Sequence, residues 1–432
     1  MPDYKIIHDT VHGSIKLKGL FLELLETPQV QRLHGIHQLG LAYLVFPGAN
    51  HTRLEHSIGT AHVAGRLADS LELSAEEKTL VKASAMLHDI GHSPYSHTLE
   101  MAIHGKMKRD HMDITKDIIT GKKGISVEGE QENTISKLLE RYGLDPNEVA
   151  ELISGKLADN STTTLEDFHT HDNQMIFNDK MYLPHIIHGS IDSDQIDYLL
   201  RDSFYTGVAH GQIDIDRLIQ TVEIFNNDLV VHKRGVPAVE GMLVARALMY
   251  TSVYYHKTVR IAELMMARAV ELLDEPLDDL NDMIDYELMA KLNNAGVLQR
   301  DIVSMLKYRK LFKRAFTIIK GKADDNTMEV IRNLRKPENR RRAESDICAR
   351  AGIPNGYTII DVPEFELEIT EPRIKSTNVK ILDEKQLRPL SNYSPLAKAL
   401  EVRNVYDWDI MVSAAPKYLV SVERVAKKVL FD

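Results

Sequence analysis

The chain has 432 residues, 43% hydrophobic and 27% charged, with a formal net charge of −10. It is long enough for a large core and two or more domains, and its acidity excludes broad non-specific nucleic-acid binding outside local basic clusters. Cys348 is the single cysteine, which excludes an intramolecular disulfide and a thiolate zinc site and fits a reducing cytoplasm.

The start, "MPDYKIIHDTVHG", has no signal-peptide core, and no apolar run reaches the roughly 18 residues of a spanning helix. Strand-like residues around His12-Gly13 predict a small hairpin. Thr52 with Glu55, and Ser74 with Glu77, are capping-box patterns that predict two helix starts. His56 then lies in the first turns of one helix. Leu80, Val81, Ala83, Ser84, Met86 and Leu87 give the other an apolar, small-residue face. Gly91 is its expected end, which puts His88 and Asp89 in the last turn.

Asp145 and Pro146 predict the cap and first residue of a further helix. Residues 159–173, "DNSTTTLEDFHTHDN", read as a polar, turn-rich insertion. Helical patterns resume at Ser190 and run, with breaks, to about Ile319. After the basic stretch "NLRKPENRRRAE", the segments "YTIIDVP", "FELEI" and "NVKIL" read as short strands. "PKYLVSVERVAKKVL" reads as a strand passing into a terminal helix. The expected fold class is mainly α, a helical core over 1–319 with a smaller α+β unit over 320–432.

Four separated places carry chemistry: Arg53-x-x-His56, then His88-Asp89, then His92 and His97, and finally Asp194 in "GSIDSDQIDYLLRDSFYTG". Imidazole nitrogen and carboxylate oxygen together suit a first-row divalent metal. Two neutral histidines and two carboxylates leave positions open for water and a substrate phosphate, whose oxygen such a metal polarises. Arg53 shares a helical face with His56, where a guanidinium can hold phosphate oxygens. Asp194, Asp197 or Tyr198, Arg201 and Asp202 recur at helical spacing, a polar face that needs partners. Each residue alone has a plainer reading. A His-Asp pair at a helix end is a favourable cap, Asp194 a helix-cap carboxylate, His92 and His97 loop residues, and Arg53 half of a surface ion pair. Their joint occurrence in this order favours the metal site.

"TPQVQRLHGIHQLGLAYLVFPGANHTRLEHSIG" and "LHDIGHSPYSH" resemble stretches of the HD-domain phosphohydrolases, whose ligand order is His … His-Asp … Asp. Among these they are most similar to the deoxynucleoside triphosphate triphosphohydrolases, the branch whose animal members carry a SAM domain ahead of the HD domain. No SAM domain is expected here. The likeness runs from about Lys5 to about Lys313 and is weaker from Lys320 onwards. It implies an HD-domain helical bundle with His56, His88, Asp89 and Asp194 as ligands of a divalent metal (Fe, Mn, Mg, Ni, Co or Zn). It implies catalytic roles for His97, His92 and His111, with His97 as proton donor to the departing 5′ oxygen. Glu100, where the branch often has an aspartate, would orient a histidine.

Arg53, Gln38, Leu39, Tyr198, Asp202, Arg246 and Tyr254 match substrate contacts, Gln38 and Leu39 beside the deoxyribose. Arg246, Tyr250 and Tyr254 recur every four residues on one expected helix, with Tyr250 expected in the core. Gln195 stands where the animal enzyme has a phosphate-binding lysine. Lys5, Gln31, Arg234, Lys257, Arg309 and Lys313 match regulatory-nucleotide positions between subunits. Glu26 and His34 replace the aspartate and arginine that help read guanine there, so a dNTP regulator is expected before GTP. The implied function is cleavage of dNTPs to deoxynucleoside and inorganic triphosphate by a cytoplasmic homo-oligomer, such as a tetramer, with neither membrane nor nucleic acid as main partner. The alternatives are a phosphohydrolase of nucleoside monophosphates or phosphodiesters, and a nucleotide- or nucleic-acid-binding scaffold using the basic run Arg335 to Arg342.

Overall fold

The computed structural model describes residues 4–95, 99, 111–127, 130–132, 134–154, 180–275, 279–322, 324–363, 379–401 and 407–432. The fold is mainly helical with small sheets. Strands Tyr4–Asp9 and Gly13–Lys18 form the expected antiparallel hairpin. The Asp9 carboxylate accepts the backbone N–H groups of Val11 and His12 at 2.9 and 2.8 Å, closing the turn. Gly13 takes the left-handed position there, at φ +75°.

Both capping boxes open helices. The Thr52 N–H donates to Glu55 Oε2 at 2.7 Å ahead of the Arg53–Ser70 helix. Ser74 and Glu77 exchange hydrogen bonds at 3.1 and 3.2 Å ahead of the Ala75–Leu87 helix. The two helices pack together, and the Ser193–Thr206 helix packs against the first. The Ala75 helix ends at Leu87, earlier than expected, with His88 as its cap residue. Gly91 therefore acts through close approach and not as a helix stop. Its amide donates to Thr115 Oγ1 at 3.1 Å on the His111–Ile119 helix, and a Cβ at Gly91 would collide with the backbone of that helix.

The Val236–Met249 helix widens into a π-helical turn over Tyr250–Tyr254, ahead of the Lys257–Glu271 helix. Single π turns of this kind re-aim side chains and occur often at functional sites. A four-stranded sheet joins Val222–Phe225 and Asp228–His232 to Lys380–Asp383 and Gln386–Pro389. The chain after residue 378 thus returns to the helical core, where Val379, Ile381, Leu390 and Ala397 join the same apolar cluster as the first helices. A three-stranded sheet places Trp408–Ala414 between Lys313–Ile319 and Thr358–Asp361. The Pro337–Ala351 and Leu419–Phe431 helices pack on it over a separate apolar core.

The strands expected in "YTIIDVP" and "NVKIL" are present. "FELEI" and the 159–173 insertion lie outside the described residues. "PKYLV" is not a strand: Pro416–Tyr418 forms a 3₁₀ turn that leads into the terminal helix. Proline has no N–H to give a ladder, and the strand is Trp408–Ala414 just before it. No described helix is long and apolar enough to cross a membrane.

A buried ion pair ties the two regions together. Arg268 on the Lys257 helix pairs with Glu344 on the Pro337 helix, and Glu344 also accepts the Ile360 N–H at 2.7 Å. Replacing Glu344 with alanine leaves Arg268 to Glu271 at 3.6 Å. Removing one partner of such a buried pair is expected to cost about 3 kcal/mol, measurable as a lowered urea midpoint.

Candidate metal centre and active-site cavity

Three helix ends converge on one point. His56 comes from the first turn of the Arg53 helix, His88 from the end of the Ala75 helix, and Asp194 from the first turn of the Ser193 helix. Their donor atoms all lie within 4.8 Å of one another. Asp194 Oδ1 is 3.0 Å from His56 Nε2 and 3.7 Å from His88 Nε2. The far ring nitrogens are held from behind, His88 Nδ1 by the Ala85 carbonyl at 2.8 Å and His56 Nδ1 by Asp197 at 2.7 Å. That support turns both Nε2 atoms towards the centre. His88 Nε2 is buried and makes no hydrogen bond. A buried ring nitrogen with no aligned partner is costly unless something binds it. The donor set fits a divalent cation.

Asp89 lies at the edge of the cluster. Its Oδ1 is 3.2 Å from both His88 Nε2 and His92 Nε2, and its Oδ2 pairs with Arg53 and lies 4.0 Å from His56 Nε2. Burial works to raise the Asp89 carboxyl, but the charges of Arg53 and His88 and a hydrogen bond from His92 hold it well below the usual range. Burial opposes ionisation of Asp194 too, and His56 and His88 outweigh it, so its pKa falls. Burial would discharge His56, but Asp194 and Asp197 push its pKa up to about 10. The His56 proton therefore stands in for a cation, and a divalent ion held by these residues would take its place. His92 is pushed well below the ordinary histidine value by burial, Arg53 and His111, so it is neutral.

Behind the cluster sits Asp197, visible in the sequence as part of a polar helical face but without a role there. It is fully buried and gathers three side chains through four contacts. Asp197 accepts from Arg201 Nε and Nη2 at 2.9 Å each, and lies 2.7 Å from both His12 Nε2 and His56 Nδ1. Arg201 continues to Asp9 at 2.8 Å. Gly59 makes room for this group, since a Cβ there would overlap the Asp197 carboxylate and the Arg201 guanidinium. The signal available in the sequence is the Asp194, Asp197, Arg201 spacing. His12 carries no local signal of its role. His51 is a further omission: it pairs with Asp202 at 2.8 Å while the Tyr254 hydroxyl donates to the other Asp202 oxygen at 2.6 Å.

A cavity of about 410 Å³ opens from the cluster. Its wall includes Gln38, Leu39, Arg53, Tyr198, Asp202, Arg246 and Tyr254, along with His92 and His111. Those last two rings stack with centroids 4.2 Å apart. Tyr250, expected in the core, is buried and also borders the cavity. Gln195 holds Arg246, whose Nη1 donates to Gln195 Oε1 at 3.0 Å, while the Gln195 amide nitrogen donates to Asp192 and the Gly189 carbonyl. Asp192, and not Asp194, caps that helix. His97 and Glu100 lie outside the described residues.

The residues matched to regulatory positions do not border the cavity. Lys5 pairs with Glu26 at 2.5 Å, Gln31 donates to the Leu25 carbonyl, Arg234 donates to His232, and Arg309 donates to the Leu44 carbonyl. Lys257 and Lys313 are exposed.

Residues 53–201 match the HD domain, and residues 213–431 match the HD associated region. The chain belongs to the HD-domain family, a class of metal-dependent hydrolases, with its HD domain followed by an HD associated region. An uncharacterized protein of Methanocaldococcus jannaschii is 32% identical over 95% of this chain and 79% of its own length. The deoxynucleoside triphosphate triphosphohydrolase SAMHD1 of Homo sapiens is 28% identical over 72% of this chain, and the chain spans 54% of that protein. The crystal structure of a hypothetical protein from Aquifex aeolicus covers 98% of this chain and 99% of its own, at 26% identity and a TM-score of 0.70.

Proposed function

We propose that this hydrolase cleaves dNTPs to deoxynucleoside and inorganic triphosphate. The observation that carries the reading is one cavity whose wall combines the His56, His88 and Asp194 donors with two guanidinium groups, Arg53 and Arg246. Its volume suits a nucleotide-sized ligand. In this reading His56, His88, Asp89 and Asp194 hold the metal. A bound divalent ion supplies Lewis acidity towards a phosphoryl oxygen and acidifies water. Arg53, fixed by Asp89, and Arg246, fixed by Gln195, neutralise charge that develops on the phosphate chain.

Water adds to the α-phosphorus, the bond to the 5′ oxygen breaks, and that oxygen takes a proton from His97. His92, His111 or Glu100 tunes the donor. Leu39 and Gln38 close around the sugar, Tyr198 and Asp202 position it, and Tyr254 is held through Asp202. Within 320–432, the part built on the three-stranded sheet takes part in oligomer contacts in this reading. Lys5, Gln31, Arg234, Lys257, Arg309 and Lys313 serve regulatory nucleotides between subunits in the same reading.

Product analysis of a dNTP panel, with single nucleotides and pairs and one metal at a time, tests this. Deoxynucleoside and triphosphate are the expected products. Pyrophosphate or single phosphate would sink the reading, and single phosphate released from nucleoside monophosphates would replace it with monophosphate hydrolysis.

A further inference from the structure

The cavity does not end at the residues assigned to phosphate and sugar. It continues along one face of the Lys257–Glu271 helix, past Val259 to Arg260, Glu263, Ala267 and Glu271, and the Pro337–Ala351 helix closes its far side. Val259 packs in a small apolar cluster with Leu39, the proposed sugar neighbour. Glu263 is one helical turn beyond Val259, about 6 Å along the axis. In the nucleotide reading, a sugar seated against Leu39 leaves its base to extend into this stretch of the cavity. Tyr250, Tyr254 and Tyr255 border the same stretch and offer aromatic faces beside it.

The charged groups at this depth are mostly engaged with one another. Arg260 pairs with Asp361 at 3.1 Å, Arg268 with Glu344, and Arg341 with Glu271 at 3.2 Å. Glu263 differs. It feels the charge of Arg260 but makes no hydrogen bond or ion pair with any described residue. Burial raises its carboxyl to about 7, with Arg260 lowering it and Asp361 adding to the rise. Its remaining exposed surface faces the cavity. A carboxylate in that position needs donors, and a ligand is positioned to supply them.

We infer that the far end of the cavity is a nucleobase subsite in which Glu263 is the specificity-determining residue and guanine is the base it selects. Guanine presents two adjacent N–H donors, at N1 and N2, that match both oxygens of one carboxylate. Adenine, cytosine and thymine do not offer that pair. The inference rests on the nucleotide reading above. It extends the substrate wall to the Pro337 helix, which thereby takes part in enclosing the base.

The test compares wild type with Glu263→Gln, a change that keeps shape and sets an N–H₂ against the guanine donors. Hydrolysis of dGTP, dATP, dCTP and TTP is measured on the metal-loaded full chain, and binding of deoxyguanosine and deoxyadenosine by calorimetry. A site built on such a pair is expected to favour dGTP over dATP by about 10-fold in kcat/KM, and the variant to lose roughly that factor on dGTP while dATP changes less than about 2-fold. Deoxyguanosine affinity falls in step. Cleavage with an unchanged dGTP-to-dATP ratio overturns the base subsite and leaves the reaction standing. If the wild type cleaves none of the four, the reaction reading falls, and nucleoside binding alone decides. A Glu263-dependent affinity for deoxyguanosine then sustains the subsite, and equal affinity in the two proteins overturns it.

Discussion

Replacing His88 or Asp194 with alanine is expected to leave the purified protein without bound divalent metal and to slow phosphohydrolysis by about 10³-fold, equivalent to ~4 kcal/mol of lost transition-state stabilisation. Each change removes one of three donors that lie within 4.8 Å of each other, and the two that remain, with Asp89 at the edge of the cluster, leave the ion one ligand short. His88 is the more telling position. Its Nδ1 is already held by the Ala85 carbonyl, and its Nε2 is buried without a hydrogen bond. The ring is therefore oriented towards the point where the Asp89 and Asp194 carboxylates, 3.2 and 3.7 Å away, would share a cation with it. Metal content by mass spectrometry and turnover on the preferred nucleotide are read together, with circular dichroism as the check on folding. Variants that fold and keep a full complement of metal would remove these residues from the ligand set.

A neutral substitution at Asp194 separates charge from bulk. Asp194→Asn retains an oxygen near His56 Nε2, now 3.0 Å from the carboxylate, but loses the negative charge that pulls a cation in. Metal affinity is expected to fall while the helix start survives, because the cap is Asp192. The distinction is not visible in the string "DSD", where either aspartate fits a cap.

The parts of this site that are legible in the sequence are those with short-range signals. Thr52 with Glu55 and Ser74 with Glu77 place two helix starts through contacts three residues apart, and those starts set where His56 and His88 fall. The spacing from Asp194 to Asp202 reports a polar helix face for the same local reason. What cannot be read locally is which distant group meets that face. His12 and His56 reach Asp197 across 185 and 141 residues of chain, and neither bears a mark that pairs it with an aspartate. Gly91 misleads because a glycine after an apolar helix usually ends it, whereas here the helix His111–Ile119 presses too close for any side chain. The strand in "PKYLV" fails for a similar reason. Its apolar residues suit a strand, but Pro416 begins a turn, and the residues after it supply the apolar face of a helix instead.

Asp197 is where those long-range contacts concentrate, and substitutions there are expected to damage both the metal site and the fold. Asp197→Ala strips a buried counterion from Arg201, which is itself fully buried and keeps Asp9 at 2.8 Å. Leaving such a charge with half its compensation is expected to cost about 3–5 kcal/mol, seen as a lower urea midpoint. Asp197→Asn is the sharper test. Oδ1 receives Arg201 Nη2 and faces His12, while Oδ2 receives Arg201 Nε and faces His56. Whichever way an asparagine amide is turned, its N–H₂ meets an arginine donor, so one hydrogen bond is lost in either orientation. The carboxylate that holds His56 Nδ1 and makes its Nε2 more basic is lost with it. Weakening such a support typically lowers metal affinity by about 10- to 100-fold, a drop that metal titration of the folded variant resolves. A longer acid does not restore the arrangement, because Gly59 leaves no slack beside the carboxylate. If Asp197→Asn binds metal within about 2-fold of wild type, the charge behind His56 contributes nothing to metal affinity, and Asp197 serves only to neutralise Arg201.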